Sequence, residues 1–192
     1  MPPPVPSRSP RPLTLSSGQI EVLFTWHGDR WHHSLHLRQA DGTFRPACLQ
    51  TAPATPDEDP NWPSSPALVE LAEVSGPQGA AVVGVGKAGK THFSASITAE
   101  RDGGICFEIA CRLTAPPGWL GSTYAASSGP RLTITPVNAV LQGAAATPNG
   151  RPPSPTLVQI VPRTADHASR GGLKTASTIQ WSYRVQAAMA GS

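Results

Sequence analysis

The sequence predicts an all-β protein, built as an antiparallel β-sandwich or a barrel-like sheet. Three observations carry that expectation. Several segments alternate apolar and polar residues with a period of two. No segment of ten or more residues shows the 3.6-residue stripe of a helix. And 22 Pro and 18 Gly punctuate a chain of 192 residues, the usage of short strands joined by many turns.

Taken in order, residues 1–16 are rich in Pro, Ser and Arg with little to bury, so a disordered Pro-rich tail is expected there. A single β domain should span 17–187, with 188–192 as a second disordered tail. The clearest element is "GQIEVLFTWHGDRWHHSLHLR", a hairpin turning at Gly28-Asp29. That turn pairs Trp26 with Trp31, Phe24 with His33 and Val22 with Leu35. Alternation puts Val22, Phe24, Trp26, Trp31, Leu35 and Leu37 on one face, with His33. Glu21, Thr25, His32, Ser34, His36 and Arg38 fall on the other. One apolar and one polar face is the pattern of a sheet covering a core.

Residues 45–66 read as a loop holding most of the local acidic charge. "ALVELAEV" and "AAVVGVG" read as strands around a Gly-Pro turn, followed by strands in "HFSASITAE" and "GICFEIACRLT". Residues 115–130 read as a second loop. "RLTITPVNAVL" reads as one strand, with Pro136 placing it at an edge or a bulge. "TLVQIVP" and "TIQWSYRVQA" complete the set. Short likenesses recur at offsets of 87 to 89, such as "IEVLF" with "FEIAC" and "HFSASI" with "QWSYRV". They suggest an internal duplication, repeats 18–100 and 104–187, of roughly four strands each.

Composition narrows the function classes. Charged residues make up 14%, against about 25% in an average domain, and the net charge is +3. The arginines are scattered and only Lys87, Lys90 and Lys174 are lysines, so no basic stripe marks a nucleic-acid binder. No apolar run approaches the roughly 20 residues of a membrane span, and the N-terminus has no apolar signal region. Cys48, Cys106 and Cys111 lack metal spacing, and the last two face opposite sides of a strand. So sparse a set fits a reducing, cytoplasmic setting.

"GVGKAGKT" (84–91) matches G-x-x-x-x-G-K-[ST], in which Gly84, Gly89, Lys90 and Thr91 would cradle a nucleotide's phosphates. Such a loop must open a helix, whose N-terminal amides hold the anion. "HFSASITAE" is strand-like, so a Gly-rich strand and turn is the favoured reading. His27, His32 and His36 form the candidate metal set. In a strand, however, His32 and His36 stand about 13 Å apart, and His36 faces Glu21 as a polar pair. His33, on the core face, should be a hydrogen-bonded buried residue. Trp62, Trp119 and Tyr124 lie in the loops as candidate ligand or partner contacts. Asp57, Glu58 and Asp59 are weak calcium candidates. Glu21 and Glu108 would form a symmetric carboxylate pair if the repeat held. No catalytic motif or cofactor signature is present.

"VGKAGKTHFSASI" (85–97) and "FEIACRLTAPPGWLGSTY" (107–124) resemble conserved uncharacterised proteins of planctomycete-type bacteria. The resemblance spans most of 18–185 and implies no activity. The reading these residues favour is a non-catalytic binding or structural β-domain that contacts a protein or a small ligand through its aromatic and His-rich sheet and loops. Nucleotide binding through 84–91 and metal binding through the histidines are the alternatives.

Overall fold

The computed structural model describes residues 10–51, 59–76, 79–126, 132–143, 156–163 and 177–188. They form thirteen strands. These are β1 (Leu13–Ser17), β2 (Ile20–His27), β3 (Arg30–Arg38), β4 (Phe44–Thr51), β5 (Glu70–Gly76), β6 (Gly79–Ala88) and β7 (Thr91–Ala99). Then come β8 (Ile105–Leu113), β9 (Ser122–Ala126), β10 (Leu132–Pro136), β11 (Ala139–Gly143), β12 (Thr156–Pro162) and β13 (Ser177–Ala187). No helix occurs among the described residues, and so none long and apolar enough to cross a membrane.

Two antiparallel sheets pack face to face. The first has the order β1-β2-β3-β4-β9-β12-β11 and the second β10-β13-β8-β7-β6-β5. Neither closes on itself, so the sandwich is observed and the barrel is not. Alternation decides which side chains enter the space between them. Ile20, Val22, Phe24, Leu35 and Leu37 project from the first sheet; Phe93, Ile97, Ile105, Phe107, Ile109, Trp181, Tyr183 and Val185 from the second. Each such side chain contributes about 1.5–3 kcal/mol on burial.

The hairpin β2–β3 has the expected register, Val22 with Leu35, Phe24 with His33 and Trp26 with Trp31. Gly28 takes the positive φ (65°) that the two-residue turn needs at its first position. Trp26 is half-buried, at the rim of the core.

Four expectations are corrected. Strand β1 takes in Leu13–Ser17, so the unstructured tail cannot extend to residue 16; Leu15 is core. Strands β4 and β9 fall inside the two segments read as loops. Residues 131–141 are two strands rather than one. Strand β10 ends at Pro136 on the edge of the second sheet, and the chain then crosses to the first. At the crossing the amides of Val137 and Asn138 both donate to the Ser182 carbonyl.

Strand pairing also differs between the proposed repeats. β2 forms a hairpin with β3 in one sheet, whereas β8, its counterpart, lies in the sheet opposite β9. β7 and β13, whose sequences are alike, pair with β8 on either side.

The segment 84–91 is a β-hairpin. β6 passes into β7 through Gly89-Lys90, with Ala88 paired to Thr91. Strand, not helix, follows Thr91, so the amide cradle of a phosphate loop is not formed. Its glycines answer to packing. A Cβ on Gly86 would lie 1.8 Å from the Ala67 carbonyl oxygen, and one on Gly84 2.5 Å from Leu71 Cδ2. Gly89 turns the hairpin at φ +55°.

Gly86→Ala should therefore cost about 3 kcal/mol, because the obstacle is backbone. Gly84→Ala should cost about 1 kcal/mol, because Leu71 can swing aside. Urea denaturation of both variants against the parent measures the difference; equal costs would refute the packing account.

Candidate functional site

Beside the aromatic centre of the sandwich lies a cavity of about 270 Å³. Phe24, Trp31 and His33 wall it from the first sheet; Ala95, Ile97, Phe107, Ile109 and Tyr183 wall it from the second. The segment Pro63–Leu68 closes one side. It is held by a hydrogen bond from the Trp31 amide to the Leu68 carbonyl (2.8 Å) and rests on Gly86. His27, Arg30, His32 and Thr51 stand at the mouth. Large rings prop the sheets apart, while small side chains such as Ala95 and Ser122 leave the space unfilled.

Polar groups meet at one end of this cavity. His33 Nε2 is 2.8 Å from the Tyr124 hydroxyl, and that hydroxyl is 2.5 Å from the hydroxyl of Tyr183. Close by, the Ser122 Oγ accepts from the Trp181 indole at 3.1 Å. Phe107 lies between His33 and Tyr183, stacked on both, with centroids at 5.4 and 4.9 Å. Strands from both sheets thus supply one hydrogen-bonded column, from His33 through Tyr124 to Tyr183.

Burial holds every member neutral. It pushes the His33 imidazole down to about 3, with a smaller push from nearby His32. It pushes the Tyr124 and Tyr183 phenols up. His33 is half-buried and lines the cavity. Arg30 at the mouth is engaged by Asp29, with nitrogen–oxygen distances of 2.8 and 3.2 Å. Among the described lining residues there is no carboxylate.

The residues singled out in the sequence are placed as follows. Tyr124 is fully buried and cannot form a loop contact surface, because its loop is strand β9 and its ring points inward. Trp62 and Trp119 are half-buried. A Cβ on Gly118 would lie 3.0 Å from the Trp62 ring, so the two loops pack against each other. Lys90 is exposed at a hairpin turn, with Thr91 buried beside it.

His27 and His32 are edge to face at 5.4 Å, but His36 is bonded to Ser34 (2.8 Å). No group of three potential ligands that could hold a metal occurs among the described residues. Asp57 and Glu58 lie outside the described residues, and Asp59 caps Asn61. Glu21 and Glu108 point from the outer faces of opposite sheets and form no pair. Cys111 is buried and Cys106 half-buried, both free, and desolvation raises their thiols to about 12 and 11. Neither is a ready nucleophile.

No family model, curated protein or solved structure matches this chain.

Two outcomes are expected. A fluorescent ATP analogue with magnesium should show no saturable binding to the parent or to Lys90→Ala; binding that Lys90→Ala abolishes would restore the phosphate loop. The second concerns pH. Unfolded, His33 takes up a proton below about pH 6.5, while folded it stays neutral to about 3. Its contribution is whole above 6.5 and is lost as pH falls, by up to about 1.4 kcal/mol per unit. His36, also lowered by desolvation, adds in the same direction. Denaturant titrations between pH 6.5 and 4.5 should show this slope, and His33→Gln should flatten it; an unchanged slope would contradict a buried neutral imidazole.

Proposed function

We propose that this protein is a non-catalytic binding domain that takes a small, largely apolar ligand into the cavity between its sheets. The cavity itself carries the proposal. A cavity of about 150 Å³ in an engineered protein interior suffices for benzene, and the 270 Å³ here leaves room for two fused rings or a comparable short chain. Apolar walls with a few convergent polar groups are the usual makeup of a small-molecule pocket.

The surrounding chemistry favours binding over catalysis. The thiols are raised, the phenols are raised and the imidazole is lowered, so each is in its neutral form near pH 7. A general acid or base works best with a pKa near the working pH. The small-ligand form of the proposal is favoured over a protein partner because Tyr124 turns inward to support the cavity rather than outward from a loop. The free thiols fit a cytoplasmic setting.

Naphthalene should bind the parent protein saturably. At about 0.6 kcal/mol per carbon, ten carbons give a Kd on the order of 10–100 μM. Ala95→Phe, which fills the cavity from the second sheet, should abolish binding while leaving the thermal midpoint level or higher. Isothermal titration with thermal melts of both proteins tests this. No saturable binding to the parent would overturn the proposal.

A further inference from the structure

We infer that the cavity selects an uncharged ligand, an aromatic or short aliphatic body bearing one hydroxyl or carbonyl group, which it seats on the free ring nitrogen of His33. The inference rests on the cavity as a ligand site and adds the chemical class of the ligand.

Four observations carry it. His33 lines the cavity and spends Nε2 on Tyr124. Nδ1, the other nitrogen of this cavity-lining ring, has no hydrogen-bond partner among the described residues. A neutral imidazole has one donor and one acceptor nitrogen, so a single hydroxyl or carbonyl completes it. The ring is also fixed, stacked on Phe107 at 5.4 Å and tilted against Phe24 at 5.6 Å. The polar atom is therefore presented at a set point over an apolar wall.

Charge is rejected on the same geometry. An ionised ligand group seated beside His33 would lose its water and meet a neutral imidazole flanked by the Phe24 and Phe107 rings, while Arg30, three residues away along β3, is held by Asp29. Burying an unpaired ion costs several kcal/mol. An apolar body without a polar group still fits, but leaves Nδ1 without its hydrogen bond. The predicted order is alcohol, then hydrocarbon, then carboxylate.

Naphthalene, 2-naphthol and 2-naphthoate share one ring system and separate these terms. At pH 7, 2-naphthol should bind about fivefold to tenfold more tightly than naphthalene, and 2-naphthoate at least tenfold more weakly than naphthalene. His33→Phe keeps an aromatic ring at this position and should bring 2-naphthol down to naphthalene's affinity. If that variant does not fold, nitrogen-15 shifts of labelled histidine in the parent give the answer directly: 2-naphthol should move the His33 Nδ1 resonance and naphthalene should not. Failure of all three compounds to bind would overturn the cavity reading together with the inference. Binding of naphthalene with equal affinity for 2-naphthol or 2-naphthoate, or an unmoved Nδ1, would overturn the inference alone.

Discussion

The hydroxyls of Tyr124 and Tyr183 meet at 2.5 Å in the middle of the sandwich, one phenol from each sheet. A phenol is rigid, so this contact fixes the spacing and the lateral offset of β9 and β13. Two residues back along each strand, Trp181 donates to Ser122, and the two contacts keep the strands in step. His33 and Phe107 depend on the same point, the first bonded to Tyr124 and the second stacked on Tyr183. In so dry a place the hydrogen bonds are strong and a missing one is costly. Loss of any one hydroxyl would leave a neighbour without its partner, at about 1–3 kcal/mol. The cavity is a by-product of this arrangement, because rings that hold the sheets apart also hold them apart above Ala95.

The closing segment Pro63–Leu68 explains a stretch of sequence that otherwise invites a chemical reading. The Ala67–Leu68 backbone lies directly on β6, and only glycine at 86 leaves room for it. Gly84 makes space for Leu71 in the same way, and Gly89 turns the hairpin. Two of these glycines, Gly84 and Gly89, placed for separate local reasons, supply both glycines of a nucleotide-binding pattern. The pattern's meaning depends on a following helix, and the residues after Thr91 alternate as a strand does.

Where one face of a strand is wet and the other buried, the fold was legible in the sequence. The β2–β3 register followed from the Gly28 turn and the alternation around it, and His33 was placed inward by the same alternation. Where burial is two-sided or the strand irregular, the signal vanished. Ser122, Thr123, Tyr124 and Ala125 are all buried, so β9 shows no alternation at all. β4 contains Pro46, and the register of β3 against it shifts between Leu35 and His36, which breaks the period. Residues 131–141 looked continuous because the crossing at Val137–Asn138 is as short as a bulge. The site was illegible for a different reason. It is made where β3 and β9 face β8 and β13, and no local pattern records which strands face one another.

The column of hydrogen bonds has one further property, which follows from the donor counts of its members. The bond between the two phenols can run from Tyr183 to Tyr124 or from Tyr124 to Tyr183, since each hydroxyl both donates and accepts. In the first case Tyr183 donates to Tyr124, Tyr124 donates to His33 Nε2, and Nδ1 carries the hydrogen. In the second, His33 Nε2 donates to Tyr124 and Nδ1 is a bare acceptor. Both directions keep these two bonds with the same heavy-atom positions, so switching requires only rotation of two phenol hydroxyls and a change of tautomer. A cavity in which His33 Nδ1 can be donor or acceptor admits a carbonyl there in one state and a hydroxyl in either. Its discrimination therefore falls on charge and on shape, the two properties that its neutral column and rigid rings can enforce.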